Sequence, residues 1–159
     1  MARFPAWLEA LALSLPRLVV LDARAEALGT ARHGAPLDRP PRDVLPRWRV
    51  RLDVGNAGYL AAAVTRRAVE RKQARGLVCE LEWPAGAAVR LLGGSPRLEG
   101  PQLEGHAPKA SPLAFLPQRE LTADRARAEW LLEAPAGTEL VLRARAGRAG
   151  AVAVRLRLG

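Results

Sequence analysis

The sequence predicts a mainly β protein: an immunoglobulin-like antiparallel β-sandwich with a short N-terminal helix. Two observations carry this expectation. Several runs alternate apolar and polar residues with period 2, the spacing of a strand with one buried face. The clearest puts Trp48, Val50, Leu52 and Val54 on one side and Arg47, Arg49, Arg51 and Asp53 on the other. Turns rich in glycine and proline, such as Pro84-Ala85-Gly86 and Pro135-Ala136-Gly137, separate these runs. The spacing gives about seven strands, as in immunoglobulin-like sandwiches. At 159 residues, 49% of them hydrophobic, the chain suits one domain burying roughly 68–70% of its unfolded surface.

In chain order, Phe4 to Leu15 reads as a short amphipathic helix stopped by Pro16. A signal peptide fits less well, because only Arg3 precedes the apolar stretch, Glu9 interrupts it and no small-x-small site follows. Residues 1–16 are therefore assigned to a helix or linker and 17–159 to the sandwich. Leu18 to Leu28 reads as a strand with Leu21, Ala23 and Ala25 inward and Asp22, Arg24 and Glu26 outward, ended by Gly29. Residues 30–46, with Pro36, Pro40, Pro41 and Pro46, read as a surface loop. After the strand at 47–54, Gly55, Asn56 and Gly58 mark a structural turn, since Gly and Asn tolerate positive φ. Residues 59–74 stay open between a helix, favoured by propensity, and a strand with an irregular loop.

Leu77 to Trp83 reads as a strand with Leu77, Cys79, Leu81 and Trp83 inward and Val78, Glu80 and Glu82 outward. A short strand over Ala87–Leu92 follows, broken by Gly93-Gly94-Ser95-Pro96. Residues 97–120 read as loop with short edge strands near Leu98 and Leu103. Arg125–Glu133 alternates with Ala126, Ala128, Trp130 and Leu132 inward. A strand over Thr138–Ala146, a turn over Gly147–Gly150 and a last strand carrying Val152, Val154, Leu156 and Leu158 complete the chain.

Chemistry-bearing residues are few. A single cysteine, Cys79, excludes an internal disulfide framework and reads as a small buried hydrophobe. His33 and His106 lack partners at catalytic or metal-ligand spacing, and His106 reads as an exposed loop histidine. No catalytic, cofactor-binding or metal-binding residue is expected, and the chain reads as a non-enzyme. Trp7, Trp48, Trp83 and Trp130 fall mostly on inward parity, which favours core packing. No segment approaches the ~18–20 apolar residues of a membrane span, so no membrane partner is expected. The missing leader and disulfides favour the cytoplasm, and the oligomeric state stays open.

The formal net charge of +9 raises a polyanion hypothesis. Its candidate contacts are Arg47, Arg49, Arg51, Arg143 and Arg145. These arginines alternate with apolar residues, however, as on the solvated face of a sheet, and exposed aromatics for base stacking are scarce. Nucleic acid is accordingly disfavoured.

A set of short motifs, in a shared order, adds a family resemblance. Leu15-Pro16-Arg17-Leu18, then Val54-Gly55-Asn56-Ala57-Gly58-Tyr59-Leu60, Ala63-Val64-Thr65 and Ala68-Val69-Glu70-Arg71, resembles the C-terminal accessory region of bacterial zinc carboxypeptidases of the carboxypeptidase A type. Leu103-Glu104-Gly105-His106, Ala128-Glu129-Trp130-Leu131, Ala134-Pro135-Ala136-Gly137-Thr138 and Arg148-Ala149-Gly150 extend the likeness over residues 15–159. Ala61-Ala62 departs from the family's Pro-Thr pair. The family's peptidase domain would bring a His-x-x-Glu zinc pair, a second histidine, a substrate-clamping arginine and a glutamate base. Here Gly34-Ala35-Pro36 follows His33, and Ala107-Pro108-Lys109 follows His106. The resemblance thus implies a non-catalytic accessory module that stabilises or docks a carboxypeptidase catalytic domain. The N-terminal helix would correspond to the last helix of that domain or the linker from it. The alternative is a basic module for nucleic acid or another polyanion, and salt separates the two, because phosphate contacts weaken steeply as salt rises.

Overall fold

A computed structural model gives the fold and describes residues 5–29, 45–63, 66–71, 75–106 and 123–159. Helix α1 spans Ala6–Ser14. Strands β1 (Leu18–Gly29) and β2 (Arg47–Asn56) follow, then a short helix α2 (Arg66–Glu70) and strands β3 (Leu77–Glu82), β4 (Arg90–Gly93) and β5 (Arg97–Glu99). The chain continues as β6 (Arg125–Glu133), β7 (Glu139–Ala146) and β8 (Gly150–Arg157). Two four-stranded sheets form, ordered β1-β2-β6-β4 and β5-β3-β7-β8. Every pairing is antiparallel. The first order is that of strands A-B-E-D of a constant-type immunoglobulin domain. In the second, β3-β7-β8 matches C-F-G, with β5 added at the open edge of the C strand. The protein is a β-sandwich of the expected class, with eight strands among the described residues.

Alternation builds the core. Trp48, Val50, Leu52 and Val54 of β2 meet Ala126, Ala128, Trp130 and Leu132 of β6 in register, and all are buried. Leu77, Cys79 and Leu81 of β3 and Leu140, Leu142, Ala144 and Ala146 of β7 close the layer from the other sheet. Trp48 Nε1 donates to the Ala134 carbonyl at 2.9 Å, satisfying the polar end of a buried ring. Both Pro-Ala-Gly turns place their glycine at positive φ, 85° at Gly86 and 83° at Gly137, where a Cβ would be strained.

Several expectations need correction. In β1 the pairing register slips between Val20 and Asp22. This bulge switches parity, so Leu18 and Val20 face the core before it, Ala23 and Ala25 pack after it, and Leu21 is pushed out to solvent. Val78, expected outward, is buried because its central strand is flanked at that point by Glu99 and Arg145, whose long side chains shield a small neighbour. Trp83 is half-buried, and Trp7 is 65% exposed because α1 buries none of its residues. The strand expected at Ala87 begins at Arg90. Leu98 lies in β5, whereas Leu103 is fully buried without being in a strand. The open segment 59–74 contains α2. Most of the 30–46 loop, His33 and all of 107–120 lie outside the described residues.

Candidate functional site

Asn56 is the organising residue at one end of the sandwich. It is the buried polar residue of the described core, 2% exposed, and its amide makes four hydrogen bonds. Oδ1 accepts from the Arg17 and Gly58 amides, each at 3.0 Å. Nδ2 donates to the carbonyls of Leu60 at 2.7 Å and Glu104 at 2.9 Å. One side chain therefore ties together the entry to β1, the exit from β2 and the segment before β6. Backbone bonds reinforce the junction: Asn56 N to Asp124 O, Ala57 N to Arg17 O, Leu60 N to Ser14 O and His106 N to Gly58 O. Gly55 and Asn56 end β2, and the chain bends at Gly58. Positive φ is not the reason for these glycines, since neither Gly55 nor Gly58 adopts it. A Cβ on Gly58 would overlap the Leu15 carbonyl at 1.9 Å, so close backbone approach requires glycine there.

The candidate polyanion contacts do not form one surface. Arg47, Arg49 and Arg51 lie on the outer face of the first sheet, and Arg143 and Arg145 on that of the second. Each is matched by a carboxylate: Arg47 with Glu133 at 3.1 Å, Arg49 and Arg51 with Glu129 at 3.4 and 2.8 Å, Arg143 with Glu82 at 3.1 Å and Arg145 with Glu80 at 3.3 Å. Their charge is partly offset by these neighbours, which weakens them as a phosphate platform.

Beside Asn56, on the outer face of the first sheet, lies a cleft of about 190 Å³. Val19, Leu21, Gly55, Asn56, Ala57, His106, Asp124 and Arg125 line it. His106 Nδ1 lies 3.1 Å from Asp124 Oδ2, and its ring sits 6.4 Å from that of Tyr59. The histidine is a loop side chain, 44% exposed, that also forms one wall of the cleft. Alternation on β1 hid this cleft by assigning Leu21 to the core. The available signal was Gly55, which leaves an outward position of β2 without a side chain.

The other unsatisfied feature is α1. Trp7, Leu11, Leu13 and Leu15 are 65, 52, 74 and 52% exposed, and Tyr59 and Leu60 continue the apolar surface at its C-terminal end. Among the described residues no group of three or more His, Cys, Asp and Glu could hold a metal ion, and no helix is long and apolar enough to cross a membrane. Burial, with a smaller push from the Glu80 charge, raises the Cys79 thiol to about 11, the state of an unreactive core group.

Fold and surface together define a β-sandwich module with a projecting apolar helix. The chain belongs to the family described as Domain of unknown function (DUF8731), whose model matches residues 46–157. No curated protein and no solved structure matches the chain.

Proposed function

We propose that this chain is a non-catalytic accessory module that docks and stabilises a peptidase domain of the zinc carboxypeptidase A type, as its sequence resemblance implies. The observation that supports this reading is α1. A helix of nine residues is marginal in water by itself, and one whose surface is apolar apart from Glu9 and Ser14 belongs in a protein interior or an interface. Here it buries nothing, yet its exit is fixed to the sandwich by Asn56 and by the fit of Gly58 under Leu15. A helix anchored at its C-terminal end with its leucines outward is partly pre-organised for a partner groove, which lowers the ordering cost of binding. The polyanion alternative has no comparable support, because its five arginines are ion-paired and split between two faces.

The test begins with the coding frame adjoining this one. An A-type carboxypeptidase catalytic domain found there, or elsewhere in the same genome, is mixed with the chain in sedimentation velocity. A one-to-one complex that changes little between about 50 and 500 mM salt and is lost in Leu11→Asp is the expected result. Absence of a complex with any such domain, alongside steeply salt-dependent binding of a labelled oligonucleotide, refutes the reading.

A further inference from the structure

On the outer face of the first sheet a side chain is missing at Gly29 and Gly93 on the two edge strands and, within the sheet, at Gly55 of β2. Gly55 stands in register between Val19 of β1 and Arg125 of β6, so the centre of that row carries no side chain of its own. The bulge in β1 aims Leu21 over the gap: a Cβ on Gly55 would lie 3.0 Å from Leu21 Cδ1. Bulges re-aim side chains next to functional clefts more often than elsewhere in sheets. The cleft that results has an apolar wall, Val19, Leu21 and Ala57, and a polar wall, His106, Asp124 and Arg125.

Arg125 is set apart from the other arginines on the strands of this sheet. Arg24, Arg47, Arg49, Arg51, Arg90 and Arg127 each meet a carboxylate at 3.4 Å or less. Arg125 is exposed, lines the cleft and has no ion-pair partner among the described residues. Asp124, next in the chain, is engaged by His106. The one strand guanidinium of this sheet left unmatched therefore stands where the face is indented and apolar.

We propose that this cleft binds an aliphatic carboxylate. The planar guanidinium of Arg125 matches a carboxylate with two parallel hydrogen bonds, and the Val19–Leu21 wall takes the hydrocarbon. At about 190 Å³ the space is below the ~300–1,000 Å³ of drug- and cofactor-sized pockets, so it suits a group the size of one acid residue. The Asp124 carboxylate on the same wall opposes a dianion such as phosphate and leaves a monoanion favoured. The carboxylate is that of a free small acid or of a polypeptide C-terminus, which share this chemistry.

The test is a titration of the isotope-labelled full chain, followed by amide chemical shifts. The probes are 4-methylpentanoate, a short peptide with a free C-terminal leucine, and the same peptide amidated. The expected result is saturable movement of the Val19, Leu21, Gly55, Ala57 and Arg125 amides at about millimolar concentration. Amidation of the peptide, or Arg125→Gln, weakens binding at least about tenfold, the loss of one charge-assisted pair. Arg125 is exposed, so the unchanged remainder of the Arg125→Gln spectrum reports that the fold is kept. A peptide that binds more tightly than the simple acid identifies a polypeptide end as the source; equal or tighter binding of the acid identifies a free metabolite. No saturable shift up to about 20 mM, a range that covers any affinity a cell could use, overturns the proposal. So does equal binding by the amidated peptide or by Arg125→Gln.

Discussion

Replacing Asn56 by alanine tests the junction most directly. The side chain is 2% exposed and makes four hydrogen bonds to backbone groups at 2.7 to 3.0 Å. A typical bond contributes about 1 kcal/mol net, and an orphaned buried group costs about 1–3 kcal/mol. Three of the four bonds are only partly buried, so water can reach some of the freed groups, and the sum is reduced to about 3–4 kcal/mol. For a chain of this size that lowers Tm by roughly 6–16 °C. The assay is urea unfolding followed by tryptophan fluorescence, with Trp48 and Trp130 as buried reporters. The slope should stay constant while the midpoint falls. Asn56→Asp is the informative control: it keeps an acceptor for Arg17 and Gly58 but turns a carboxylate oxygen toward the Leu60 and Glu104 carbonyls. It should cost at least as much as alanine. A loss below about 1 kcal/mol for Asn56→Ala, or a neutral Asn56→Asp, refutes the junction as described.

Further outcomes follow from the core and the surface. Trp48→Ala removes a buried ring and its bond to Ala134 and should cost about 3–5 kcal/mol in the same urea assay; a value below about 1 kcal/mol would reverse the faces of β2. Gly58→Ala forces the Leu15 backbone to move, so it should destabilise by more than about 2 kcal/mol and speed hydrogen exchange at the Leu60 amide. Arg49→Ala should cost no more than about 0.5–1 kcal/mol and less in high salt, since its partners are surface carboxylates. The Cys79 thiol, raised from 9.0 to about 11, stays protonated in the folded state while the unfolded chain releases its proton. Stability should therefore fall as pH rises from about 9 toward 11, with thiol-reagent labelling at pH 8 limited by unfolding; fast labelling without unfolding would show that Cys79 is open to solvent.

The strands that alternate cleanly were legible before the structure. Along β2, β6 and β7 the side-chain period and the burial coincide, because one face packs and the other carries charge. The N-terminal end was harder for a physical reason. A bulge adds one residue without changing composition, so alternation through Leu21 assigns it to the core although the register slips there. Asn56 and Gly58 look like turn formers because those residue types usually are. Their demands here come from segments distant in sequence, Leu15 to Arg17 and Glu104, which no local pattern carries. The cleft depends on three strands meeting in register at Val19, Gly55 and Arg125. Each residue is unremarked in its own neighbourhood, and only the pairing makes them a site.

The ion pairs of the two faces also shape how this surface can drift over time. Glu80, Glu129 and Glu133 each serve two arginines. A lost arginine leaves its shared carboxylate still matched by the other. A lost Glu133 strands Arg47 and Arg90 at once, on a chain already carrying a formal charge of +9, whereas Arg49 keeps Glu26 when Glu129 is lost and Arg97 keeps Glu99 when Glu80 is lost. Variation should therefore be lopsided, with arginines exchanged freely and Glu133 held in place most firmly by the two neighbours that lean on it alone.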